Sequence, residues 1–182
     1  MRYILLFLTL LSTGASLTAQ VTGARLQASG LTCAMCARSV YKNLETLPFV
    51  DSVDTDLEQS AFVLRFKKGS TIDPDLIRKR VEEAGFSVAS LHLRAMLDGR
   101  ALKPDGHLTL SGRHYHILPQ KEVLPGGEAS LLVVDKSFLP SREMKRYAGL
   151  STATCFLTGQ SGGKCCDDQG IPAHQRIYHL SL

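Results

Sequence analysis

Gly30-Leu31-Thr32-Cys33-Ala34-Met35-Cys36 marks the point at which the chain changes its hydrophobic period. Before it, Ala24, Leu26 and Ala28 alternate with Arg25, Gln27 and Ser29, the period-2 pattern of a half-buried strand. After it, Val40, Leu44 and Leu47 recur at i, i+4 and i+7, one face of a helix. The stretch therefore reads as strand, loop and helix, with Cys36 in or near the first helical turn. Unpaired N–H groups and the helix dipole at that end favour thiolate over thiol, and Arg38 adds a positive charge.

Outward from the loop, the same reading yields four more elements. Val53, Thr55 and Leu57 alternate with acidic neighbours, Glu58-Gln59-Ser60 is a polar turn, and Phe62, Leu64 and Phe66 form the return strand of a hairpin. Asp73 is a good N-cap with Pro74 at the first helical position. Ile77, Val81 and Ala84 supply that helix's apolar face, and Gly85 ends it. Phe86, Val88, Leu91 and Leu93 read as a last strand whose parity switches after Val88, which predicts a bulge or an early end. Strand, helix, strand, strand, helix, strand is the ferredoxin-like βαββαβ order.

The loop resembles the Gly-Met-Thr-Cys-x-x-Cys loop of the heavy-metal-associated (HMA) domain family. That family includes small copper chaperones, modules of copper-exporting ATPases and the periplasmic mercury-binding protein. Ile77-Arg78-Lys79-Arg80-Val81-Glu82-Glu83-Ala84-Gly85-Phe86 resembles the family's second helix and following turn. The resemblance covers residues 21–94 and implies that Cys33 and Cys36 hold a soft ion. It departs at Leu31, where the family has Met, a replacement of similar volume. By the same analogy Phe86 sits beside the loop.

Three chemistries compete for the cysteine pair: a thiolate metal site, a thioredoxin-type redox pair, and an inert structural disulfide. With no His, Asp or third Cys in the loop to complete the four positions that structural Zn(II) takes, Cu(I) is the first choice of ion. Hg(II), Ag(I), Zn(II) and Cd(II) are the other candidates. The implied mechanism is handover to a metal-donating or metal-accepting partner, such as a metal transporter. It requires no enzymatic turnover. The alternatives are a thiol–disulfide oxidoreductase and a non-catalytic interaction protein.

Residues 1–19 read as a signal peptide: Arg2, then the apolar run from Ile4 to Leu11, then small and polar residues ending at Ala19. The run is too short to span a bilayer. The expectation is an exported protein, periplasmic or extracellular, without stable membrane insertion after signal removal. The net charge is +4, neither half is strongly basic, and the few aromatics are not interleaved with basic residues, so nucleic-acid binding has no support.

The expected organisation is α+β: a ferredoxin-like domain over 20–94, a junction over 95–106 marked by Asp98-Gly99 and Pro104-Asp105-Gly106, and a small β-rich domain with one short helix over 107–182. Leu108–Leu110 and Arg113–Leu118 read as a hairpin on the turn Ser111-Gly112. A strand is expected over Ser130–Val134, a helix over Arg142–Ala148 capped by Ser141, and strands over Thr152–Leu157 and Arg176–Leu182. Gly159–Gly170 reads as a loop between them. Its Gly159-Gln160-Ser161-Gly162-Gly163-Lys164 lacks the spacing of a phosphate-binding loop. Cys155 is expected to pair across that loop with Cys165 or Cys166. A second metal site from Cys165, Cys166, Asp167, Asp168 and a histidine is the alternative, buried thiols a third. His114 and His116 share one face of their strand, placed for joint ligation; His107, His174 and His179 carry no assignment.

Overall fold

The alternation before Cys33 becomes strand β1 (Gln20–Ser29), followed by α1 (Ala34–Glu45), β2 (Val50–Asp56), β3 (Ala61–Phe66), α2 (Pro74–Glu83) and β4 (Ser87–Leu97). The structure is a computed structural model and describes residues 19–56, 58–97, 105–119 and 127–182, apart from the side chain of Cys165. The expected signal segment, but for Ala19, and much of the junction lie outside the described residues.

Beyond the junction come β5 (His107–Leu110), β6 (Arg113–Ile117), β7 (Gly127–Val133), α3 (Ser141–Tyr147), α4 (Thr154–Thr158), α5 (Lys164–Asp167) and β8 (Ile177–Ser181). The strands of the described residues lie in one eight-stranded sheet of order β2-β3-β1-β4-β7-β8-β6-β5. The pairings are antiparallel except β6 with β8. The fold is α+β, with the ferredoxin-like order as its first half. The second half adds its strands to the same sheet through β7, which pairs with β4 from His92 to Leu97.

Side-chain alternation divides the sheet into two faces. On one, Ala24, Leu26, Leu64, Leu91, Leu93, Leu131, Tyr115 and Tyr178 join a single apolar core. The helices close it: α1 buries Ala37, Val40 and Leu44, and α2 buries Ile77 and Val81. Each large aliphatic side chain so buried contributes about 1.5–3 kcal/mol. The start of α2 forms as the sequence predicts. Asp73 Oδ1 accepts from the Asp75 N–H at 3.0 Å, and Pro74 needs no donor there. The other half of the molecule completes this cap: the Tyr178 hydroxyl reaches Asp73 Oδ1 at 2.9 Å, and Arg113 pairs with Asp73 Oδ2.

The parity switch in β4 is a bulge: Gln27 pairs with Ser90 but Ala28 with Val88. A second irregularity lies at the start of β1, where Val21 pairs with Ala95 and Gly23 with Arg94. Here β1 and β3 approach so closely that a Cβ on Gly23 would stand 2.5 Å from the Leu64 carbonyl oxygen. That oxygen is backbone, held by β3's own pairing, and cannot step aside. Gly23→Ala is therefore expected to cost about 3 kcal/mol, the upper end for overpacking, read as a lowered urea midpoint. A midpoint unchanged from the parent would show that the strands separate freely.

Three expectations are corrected. Thr152–Leu157 is not a strand: Thr154–Thr158 is helix α4, ended by Gly159 in the left-handed region at φ 73°. Both edges of its neighbour β8 are already taken by β7 and β6, so no ladder is open to it there. Ser141 is the first residue of α3, not its cap, and Pro140 precedes the helix without a side-chain capping bond. Within the expected loop over Gly159–Gly170, Lys164–Asp167 makes the short helix α5. Among the described residues the second half thus has three short helices where the sequence suggests one.

Candidate metal centre

The loop between β1 and α1 carries both cysteines of the Cys-x-x-Cys motif. Gly30 turns the chain out of β1 at φ 83°, a left-handed conformation that glycine adopts without a side-chain penalty. Cys33 is the N-cap of α1, with extended backbone, and its Sγ accepts from the Cys36 N–H at 3.2 Å. The Cys33 carbonyl accepts from the Ala37 N–H at 3.2 Å. The sequence expectation of Cys36 in the first turn therefore holds, and both sulfurs sit at the positive end of the helix dipole. They are joined as a disulfide, with Cα atoms 5.3 Å apart.

The loop faces outward. Thr32, Cys33 and Ala34 are exposed, Cys36 is half-buried, and Met35 projects at 73% exposure. Leu31 is half-buried and packs on the core, as its apolar volume requires, and so does Phe86. Phe86 Cδ1 lies 3.9 Å from where a Gly30 Cβ would stand, which places this ring beside the loop. A shallow cleft of about 220 Å³ opens next to Cys33, with Leu31, Ala37, Asp56 and Phe62 in its lining. Asp56 pairs with Arg25 at 2.9 Å, and the Arg25 hydrogen bond holds its carboxyl below the usual carboxylate range. Among the described residues, no third His, Cys, Asp or Glu donor gathers with the two loop sulfurs.

The second half places its cysteines and histidines differently from the sequence reading. His114 and His116 do not converge. The His114 ring bonds to the Thr109 hydroxyl at 3.0 Å, while His116 stacks on His107 with centroids 4.4 Å apart and planes 6° apart. The reason is distance: cross-strand partners stand closer than residues two apart on one strand, and His107 pairs with His116 in the hairpin register. The signal was present, since a two-residue turn at Ser111-Gly112 fixes that register. Cys155 and Cys166 are fully buried against the same histidines. The expected pairing with Cys165 lies outside the described residues. Burial, with the nearby His116 and His179 charges, pushes the His107 imidazole down to about 4. Burial likewise lowers His116, against the opposing pull of Asp105. Both rings are thus neutral at pH 7.

Residues 25–87 match the family model of the heavy-metal-associated domain, and the residues beyond have no family match. Among the solved structures that resemble the chain is one described as the CopZ metallochaperone. It is 22% identical, covering 36% of this chain and 96% of its own, with a TM-score of 0.33. No curated protein matches.

Proposed function

We propose, from a chain whose residues 25–87 form a heavy-metal-associated domain, that the protein binds Cu(I) through Cys33 and Cys36 and hands it to a partner. The observation that carries the reading is the loop itself: two sulfurs at an exposed helix N-terminus, with no third donor among the described residues. Two thiolates without harder ligands suit a soft monovalent ion better than Zn(II), which takes four. Exposure leaves room for an incoming thiolate, a three-coordinate intermediate and release. A dithiol reductant must first open the disulfide by thiol–disulfide exchange, itself becoming oxidised and leaving Cys33 and Cys36 as thiols, so the carrier is the reduced form.

The partners are proposed to be metal-donating or metal-accepting proteins, a transporter among them, and the role to be metal transport, homeostasis or detoxification. Export to the periplasm or the exterior is part of the same proposal, resting on the apolar run from Ile4 to Leu11. No helix among the described residues is long and apolar enough to cross a membrane.

Anaerobic Cu(I) titration against a competing chelator tests the reading on the protein as it exists. The reduced protein is expected to take one tightly held equivalent at the loop, and the disulfide form none there. Equal uptake by both forms would overturn it. The disulfide also favours a second reading, thiol–disulfide exchange, which a catalytic rate in a disulfide-reduction assay would support.

A further inference from the structure

The face of the sheet turned away from α1 and α2 has its own cover. On β8, Tyr178 and Leu180 enter the main core, while Ile177 packs with Cys155, Cys166 and Ile171 on the other side. His116 and His179, parallel neighbours on β6 and β8, point to that second side by the same alternation. The segment carrying α4 and α5 lies over them. Four potential donors meet there. Cys155 Sγ lies 3.5 Å from His116 Nδ1 and 3.8 Å from His107 Nε2, and Cys166 Sγ lies 3.6 Å from His107 Nε2. The donor atoms of His107, His116 and Cys155 all lie within 4.8 Å of one another.

We propose that His107, His116, Cys155 and Cys166 form a second metal centre, one that takes Zn(II) in tetrahedral coordination. Three observations carry this. The first is spacing. Zn–S bonds of about 2.3 Å and Zn–N bonds of about 2.0–2.1 Å at tetrahedral angles require nitrogen–sulfur edges of about 3.6 Å. The three distances above lie close to that value; Cys166, which is outside the mutually close group of His107, His116 and Cys155, turns its side chain inward to complete the fourth corner. The second is orientation. His116 turns Nδ1 toward Cys155 and bonds through Nε2 to Asp105 Oδ1 at 2.9 Å. A carboxylate on the far nitrogen is the arrangement that fixes the ring and tautomer of a metal-bound histidine. The third is charge. His116, Cys155 and Cys166 are fully buried. Two thiolates and two neutral imidazoles make the centre neutral with Zn(II) but leave a buried negative charge with Cu(I), which is costly. Binding releases the two thiol protons.

This centre is separate from the Cys33–Cys36 loop. Four strand spacings, roughly 19 Å at about 4.8 Å each, lie between β1 and β6 in the sheet. The loop is open and adjustable; the second centre is closed, the form of a structural ion that holds α4 and α5 to the sheet.

The test uses the full chain with Cys33→Ser and Cys36→Ser, so that the outcome does not depend on the loop. Reduced anaerobically, it is titrated with Zn(II) against a chromophoric chelator, and with Co(II) to read thiolate-to-metal charge transfer. One equivalent of Zn(II) is expected, with tetrahedral Co(II) bands. His107→Ala and Cys155→Ser should each weaken binding at least ~100-fold, and Asp105→Asn by about 10-fold. The Asp105 side chain is 62% exposed, so that variant is expected to fold even if the buried ones do not. Absence of Zn(II) uptake would overturn the proposal. So would affinity unchanged in Asp105→Asn and His107→Ala, or uptake of Cu(I) without Zn(II).

Discussion

Serine at both Cys33 and Cys36 is expected to weaken Cu(I) binding at the loop by about 10⁴-fold. Metal sites built from four ligands bind with roughly 10–16 kcal/mol, about 3 kcal/mol per ligand, and every 1.4 kcal/mol is tenfold. Removing both sulfurs of a two-sulfur site removes about 6 kcal/mol, and hydroxyl oxygen is a poor substitute for a soft ion. The substitution separates ligation from folding. Cys33 caps α1 through its sulfur, and serine is among the best N-cap residues. Measured under reducing conditions, the urea midpoint of the variant should therefore stay close to the parent's while the competition titration loses the tight equivalent. Tight Cu(I) binding retained in the variant would move the ion away from the loop, toward the histidine–cysteine cluster on the other side of the sheet.

Arg176→Met carries the largest expected loss of stability outside the strands. The guanidinium lies over the Tyr178 ring at 4.2 Å and pairs with Asp75 at 2.9 Å and Asp135 at 3.0 Å. It also donates to the Gly159 carbonyl at 3.1 Å, at the end of the helix that holds Cys155. Asp135 is 10% exposed, so removing its cation strands a buried charge, a change that costs about 3–5 kcal/mol for a fully buried pair. Arg176 keeps 31% exposure, which brings the expectation down to about 2–3 kcal/mol.

The pH dependence gives this prediction a second readout. Burial alone would raise the Asp135 carboxyl, but hydrogen bonds from His179 and the charge of Arg176 hold it below the usual carboxylate range. A carboxylate depressed in the folded state stabilises above its unfolded value near 4 and loses that contribution as pH falls through the folded value. Without Arg176 the burial remains and one opposing charge is gone, so Asp135 titrates higher. The parent loses the Asp135 contribution as pH falls below about 4, whereas the variant has less of it to lose, so the gap in stability between them should narrow on acidification. A gap in urea midpoint that stays constant between pH 7 and pH 3 would sink the idea.

The first half of the fold is legible because each of its elements carries two agreeing signals. β1 has alternation ended by a turning glycine, α2 has Asp73, Pro74 and Gly85 at the right places, and even the β4 bulge is written in the shift of apolar parity after Val88. The second half divides into what is local and what is not. The β5–β6 hairpin follows from its turn, and its register brings His107 opposite His116. That Cys155 and Cys166 meet these histidines is not written locally. It depends on β8 inserting between β7 and β6, a pairing between segments some sixty residues apart. The misread stretch around Cys155 fails for the same reason: β-branched threonines suggest a strand, and only the occupied edges of β8 tell against it.

The pairing of β7 along β4 also bears on solubility. In the strand order β2-β3-β1-β4 the last member would be a rim, and unpaired strand rims template the addition of other chains. β4 is eleven residues long, with Leu91, Leu93, Ala95 and Leu97 along one side, the kind of rim that seeds edge-to-edge assembly. The later part of the chain lies along it and moves the rim outward to β5, a strand of four residues. A protein cut after Leu97 would present that rim to its copies and is expected to self-associate where the full chain does not.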